Sequence, residues 1–185
     1  MHLDGRAVQA AVFVADTAAG AANGQTPAAA LGAGAAGVRE PELAAALAKA
    51  KGLAGAGASV EDAAKALGTS GYSVHTAAFA YFLFARFGSD ARACLVETAS
   101  AGGDNDSIGA VVGGWLGAFH GAAGLPTDLV AGLCGGPFGR AHLEGLAAAL
   151  SLKTPPPRYF WPLAMARNLT LIPVVLAHGF LRLLS

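Results

Sequence analysis

Two carboxylates and a hydroxyl fall within four residues in Gly102-Gly103-Asp104-Asn105-Asp106-Ser107, on a segment whose paired glycines let the backbone turn sharply. Aspartate and serine oxygens are hard ligands suited to Mg²⁺, Mn²⁺ or Ca²⁺, and a bent loop can aim Asp104 and Asp106 at one ion. The same pattern has a structural explanation, in which Asp106 caps the following helix and Asp104 faces water. Carboxylates at a helix start feel its positive end, which keeps them ionised. That end also repels a cation, so two carboxylates alone hold a metal weakly.

Other chemistry-bearing patterns are weaker. Gly32-Ala33-Gly34-Ala35-Ala36-Gly37 fits the dinucleotide-binding G-x-G-x-x-G pattern literally. No apolar strand precedes it, so it is set aside. His75 and His120 fall on apolar helices as core or groove residues, while His142 and His178 are expected exposed or in the tail. None of them has zinc spacing with Cys94 or Cys134. Two cysteines make no disulfide framework and fit a reducing cytosol, with Cys94 an inert core thiol.

The elements that must position these residues are helices. The 185-residue chain holds 45 Ala and 26 Gly, is 54% hydrophobic, and balances 12 Lys+Arg against 12 Asp+Glu. Alanine loses no rotamer freedom in a helix, so this composition predicts an all-α globule and excludes a disordered polar chain. A net charge of zero gives no electrostatic footprint for nucleic acid or an anionic membrane.

Apolar spacing predicts helices over residues 6–22, 27–36 and 41–51, the second starting at Thr26-Pro27. Ser59 with Asp62 marks a capping-box-like start for a helix ending at Leu67. Tyr72 to Phe87, apolar all round, belongs at the centre of a bundle. A helix follows to about Ser100, and another runs from Ser107 to Gly121. On that helix Gly109, Gly113, Gly117 and Gly121 form a stripe that predicts a neighbour packed backbone to backbone. His142 to Leu150 closes the domain, Thr154-Pro155-Pro156-Pro157 is a stiff linker, and Arg158-Tyr159-Phe160-Trp161 opens an apolar tail. The apolar stretch 169–184 carries Pro173, His178 and Arg182 and falls short of the ~20 residues a spanning helix needs, so a docked or partner-seeking helix is expected and a membrane tether is the weaker alternative.

Ser70-Gly71-Tyr72-Ser73-Val74 before an aromatic helix, then Gly102-Gly103-Asp104-Asn105-Asp106-Ser107-Ile108 and a glycine-striped helix, then Gly124-Leu125-Pro126, resembles the ADP-ribosylglycohydrolases of the dinitrogenase-reductase-activating type. The order and separations match the C-terminal half of that family over residues 1–150. On this resemblance the domains are 1–150, a Pro-rich linker 151–157 and an aromatic, apolar extension 158–185.

The resemblance implies a compact orthogonal helical bundle with a binuclear Mg²⁺ (or Mn²⁺) centre that cleaves the glycosidic bond between ADP-ribose and a modified side chain or small conjugate. Asp104, Asp106 and Ser107 match three metal-ligand positions, with Ser107 where threonine is usual. Tyr72 falls where the family places a residue against adenosine, and Gly71 beside it joins the substrate-binding set. Gly103 would let ribose and phosphates approach the backbone. His2, in His2-Leu3-Asp4-Gly5-Arg6, resembles a histidine that contacts ADP-ribose.

Family members also carry an upstream Thr-Asp-Asp that completes the metal pair, and this sequence has none; Thr127-Asp128 is followed by Leu129. The expectation is a chain lacking the N-terminal half, cytoplasmic, completed by a complementing N-terminal half or by a homo-oligomer. The alternative is a non-catalytic ADP-ribose-binding or subunit-interaction module.

Overall fold

A computed structural model describes residues 4–133, 138–158 and 160–183. Within them the chain forms ten α-helices and no strand, the all-α class that the composition predicts. It divides into two compact units, residues 1–126 and 127–185.

The first unit contains α1 (Gly5–Ala22), α2 (Pro27–Ala36), α3 (Pro41–Gly55), α4 (Val60–Leu67), α5 (Ser73–Phe87), α6 (Ala91–Ser100), α7 (Asn105–His120) and a 3₁₀ turn (Ala122–Gly124). Local signals set most of the starts. Thr26 Oγ1 accepts the Ala29 N–H at 3.4 Å ahead of Pro27. Ser59 Oγ accepts the Asp62 N–H at 3.0 Å and donates to the Asp62 carboxylate at 2.7 Å. Asp90 accepts the Ala93 N–H at 3.0 Å. Each satisfies a backbone donor that the helix cannot satisfy itself. Two boundaries differ from expectation. The third helix continues past Lys51 to Gly55, and α7 begins at Asn105, two residues earlier than predicted.

The core is built around α5, which buries Val74 and every residue from Ala77 to Phe84 and packs against each of the other six helices of the unit. Trp115 of α7 is fully buried, edge-on to Phe13 at 5.7 Å and tilted against Phe84 at 5.4 Å. Its indole N–H donates to the Val14 carbonyl at 2.9 Å, so the largest core side chain leaves no unsatisfied donor. Small residues permit the closest helix approach: a Cβ on Gly34 of α2 would lie 3.1 Å from the Phe13 carbonyl of α1.

The glycine stripe of α7 is not a packed face. Nothing lies within 4 Å of a Cβ placed on Gly113, Gly117 or Gly121, and Gly109 meets only the Thr98 methyl at 3.9 Å. The buried residues are Ile108, Val112, Trp115 and Leu116, which fall on one side at helical spacing. The large residues decided the rotation of α7, and the glycines were left on the open side.

The second unit contains α8 (Thr127–Ala131), α9 (Arg140–Leu152) and α10 (Trp161–Leu183). The Pro155–Pro157 run is non-helical. His142 is half-buried, edge-on to Phe138 at 5.0 Å, rather than exposed, while His178 is exposed as expected. The apolar tail helix starts at Trp161, eight residues before the predicted Leu169.

Candidate active site

The N-terminus of α7 and the N-terminus of α5 meet through the loops that precede them. The Asp104 N–H donates to the Thr69 carbonyl at 2.7 Å. Gly103 has φ +78°, a left-handed conformation that glycine adopts without steric cost. The space a side chain there would need is filled by the hydroxyl and carbonyl of Thr69. Packing of the two loops therefore accounts for this glycine. Across the same junction, a Cβ on Gly71 would lie 2.8 Å from Asp104 Oδ2, so Gly71 leaves room for that carboxylate.

The structure thus brings Gly71, Gly103 and Asp104 together, with Asp106 and Ser107 on the first turn of α7. Asp104 is the N-cap by position but makes no capping bond with its side chain, and it is half-buried. Asp106 is not the cap that the structural explanation required. A hydrogen bond with the Asp104 carboxyl, and the backbone N–H groups of Asp106 and Ser107, hold its carboxyl below the usual aspartate range. Two acidic groups turned towards each other, one favoured as the anion by helix N–H groups, form an anionic site that is half-buried at Asp104 and exposed at Asp106. Asn105 is engaged elsewhere, its side-chain amide donating to the Ala99 carbonyl at 2.9 Å.

Tyr72 is the N-cap of α5 and sits in a separate polar cluster. Its hydroxyl donates to Glu42 Oε2 at 2.9 Å, its ring lies 5.5 Å from the Arg6 guanidinium, and His75 meets it edge-on at 5.1 Å. Arg6 in turn pairs with Glu42 at 3.3 Å and with Asp4 at 2.7 Å. Burial, then the Glu42 hydrogen bond, raise the Tyr72 phenol above its ordinary value, so it stays a neutral donor. The predicted His2 lies outside the described residues.

Sequence reasoning missed Thr69, Ser70, His75, Arg6 and Glu42 as supports. Ser70 Oγ accepts the Tyr72 N–H at 3.3 Å and bonds His75 Nδ1 at 2.8 Å, which folds the loop back onto the first turn of α5. A hydroxyl two residues before a helix N-cap is a local signal that could have found Ser70. The Thr69 contact joins residues 35 apart in sequence and left no such signal.

The donors at the start of α7 fit one hard cation. Two carboxylates and the Ser107 hydroxyl are all oxygen, and Mg²⁺ is commonly held by one or two carboxylates while keeping several waters. They do not by themselves make a binuclear centre: among the described residues no three His, Cys, Asp or Glu side chains cluster to hold a metal. A cleft of about 590 Å³ opens between α4 and α6, with Thr69 and Ala101 on its wall, and none of the predicted residues lines it.

Compared with known protein families, residues 1–158 match ADP-ribosylglycohydrolase. The chain belongs to this family. The match covers the whole first unit and reaches the residue before Tyr159 in the second. The all-α architecture is that of an ADP-ribosylglycohydrolase, and the family places the chain among glycohydrolases. Neither a search of curated proteins nor one of solved structures found a match.

Proposed function

We propose that this ADP-ribosylglycohydrolase-type chain is a metal-dependent hydrolase acting on the glycosidic bond between ADP-ribose and a modified protein side chain or a small conjugate. The observation that carries the reading is the loop junction, where Gly71 makes room for Asp104 and the Asp104–Asp106 pair gathers negative charge at the start of α7. Asp104, Asp106 and Ser107 would hold Mg²⁺ (or Mn²⁺). A bound metal supplies Lewis acidity and a template for ribose hydroxyls. The chain's own carboxylates add electrostatic stabilisation where positive charge grows on the ribose as the bond to the leaving group breaks. Asp106, favoured as the anion by the Asp104 hydrogen bond and then by helix N–H groups, is suited to that role. The neutral Tyr72 phenol and the Arg6 guanidinium offer a donor and a cation for an adenosine diphosphate moiety.

A second reading is supported by the donor count. With no group of three acidic, His or Cys side chains among the described residues, the chain acts as an ADP-ribose-binding or subunit-interaction module until a partner supplies the remaining ligands. That partner is a complementing N-terminal half or a second copy.

Calorimetric titration of ADP-ribose into the chain, with Mg²⁺ and then with EDTA, tests the first reading. Metal-dependent binding lost by about tenfold or more in Asp104→Ala or Asp106→Ala supports it. Equal binding by variants and parent removes the metal assignment. Metal-dependent binding without hydrolysis of an ADP-ribosylated peptide selects the module.

A further inference from the structure

The feature that the hydrolase reading leaves unused is α10. It runs for 23 residues, a length of about 34 Å, and only Ala164 is buried. A helix that is apolar and this exposed has no core to satisfy it. It is also not a signal sequence, since 160 residues precede it. Its eight additional residues over the predicted start make it long enough and apolar enough to meet a bilayer.

One apolar stripe runs the length of the helix. Met165, Leu169, Ile172, Leu176, Phe180 and Leu183 recur at three- and four-residue steps, and all are between 50% and 83% exposed. Arg167, His178 and Arg182 lie outside that stripe, but Leu163, Leu171, Val174, Val175 and Leu181 share their side of the helix, and the Arg167 guanidinium packs over the Phe138 ring at 5.9 Å. Leu171, Val174 and Val175 are exposed between those cations, so the apolar surface is wider than the single seam a partner helix would use. Phe160 and Trp161, both exposed, stand at the start of the helix, the residue types that favour a headgroup boundary.

The charge is of one sign. From Gly145 to Ser185 the chain has no Asp or Glu, while Lys153, Arg158, Arg167 and Arg182 are cationic. The rest of the chain carries eight cations against twelve carboxylates, so the zero net charge conceals a basic tail on an acidic body.

We propose that α10 is a membrane-binding helix for a bilayer that contains anionic lipid, with the Met165–Leu183 stripe in the acyl region. Lys153 and Arg158 before the helix and Arg182 in its last turn lie towards its two ends, where long cationic side chains reach headgroup level. Apolar insertion supplies the attachment, and the attraction of Lys and Arg to acidic headgroups selects the lipid.

The test is flotation of the full chain with vesicles of neutral phosphatidylcholine or of phosphatidylcholine with about a third phosphatidylglycerol. The expected result is flotation with the anionic vesicles at least about tenfold above that with neutral ones, reduced by ~0.5 M NaCl. Ile172→Asp with Leu176→Asp should abolish it with the helical signal and melting of the first unit unchanged. Arg158→Gln with Arg182→Gln should lower only the anionic preference. A folded chain that floats with neither vesicle overturns the proposal. So does a lipid-free oligomer that the Asp variants convert to monomer without any vesicle binding, which would assign the stripe to a second copy. Equal flotation with both vesicles overturns the anionic requirement. None of these outcomes depends on ADP-ribose binding.

Discussion

Replacing Gly102 and Gly103 separately by alanine measures how much the loop junction is worth. Both glycines have left-handed backbone, φ +74° and +78°. Alanine in that conformation costs about 1–2 kcal/mol at either position. The stiffening of the unfolded chain by alanine is also the same for both and cancels in the comparison. The surroundings differ. A Cβ on Gly102 meets nothing within 4 Å, whereas one on Gly103 collides with the Thr69 hydroxyl and carbonyl. Relief of that collision must separate the loops and break the bond from the Asp104 N–H to the Thr69 carbonyl, worth about 1 kcal/mol. Residual overpacking adds about 1–3 kcal/mol. Gly103→Ala should therefore be about 2–4 kcal/mol less stable than Gly102→Ala. Urea unfolding followed by far-ultraviolet circular dichroism reads the difference. Unfolding free energies for the two variants that agree within about 0.5 kcal/mol would refute the close approach of the loops.

At Gly71, alanine pushes only against the end of the Asp104 side chain; stability should change by less than about 1 kcal/mol while Mg²⁺-dependent ADP-ribose binding falls, measured by calorimetry. Gly113→Ala should stabilise the fold by about 0.5–1 kcal/mol, seen as a raised melting temperature, because the helical site is open and alanine is the better helix former. Arg6 holds the Asp4 carboxyl at about 2 against an ordinary 3.8. Because the folded value is the lower one, this pairing favours the fold above pH 3.8 and is lost as pH falls through about 2; carboxyl-carbon NMR should show that midpoint, returning towards 3.8 in Arg6→Ala. Burial, with a smaller contribution from Asp90, pushes the Cys94 thiol up to about 12, so peptide mapping after iodoacetamide at mildly alkaline pH should find Cys94 unmodified in the native chain.

What the sequence made legible was local. The caps at Thr26, Ser59 and Asp90 announce themselves within three residues, and the aromatic run of α5 states its own burial. The rotation of α7 was misread because glycines spaced by four suit either a tight helix contact or an open face. The large residues at Ile108, Val112 and Trp115 carry the distinguishing signal. The start of α7 was placed late because Asp106 looks like a cap, yet its carboxylate folds onto N–H groups already inside the helix. The Thr69 contact ties the loop before α5 to the start of α7, and the Arg6–Glu42–Tyr72 cluster joins α1, α3 and α5, each across 30 or more residues, and no periodicity encodes them.

The direction of the Asp104 and Asp106 carboxylates is set by two constraints of different strength. Trp115 lies eleven residues, three helical turns, beyond Asp104. Wedged between Phe13 and Phe84 and bonded to Val14, it fixes the rotation of α7 about its axis. The core thus decides which way the first turn faces, and that constraint yields only with the fold. The bend of the loop entering α7 has a weaker anchor, the bond from Asp104 to the Thr69 carbonyl, made on a segment that Ser70 and His75 hold against α5. Disturbing Trp115 should lower stability and binding together, while disturbing Ser70 or His75 should alter ligand affinity with little change in unfolding. A site built this way keeps its orientation from the buried aromatic residues. Its fine geometry comes from solvent-accessible bonds, where substitution is tolerated by the fold and felt at the carboxylates.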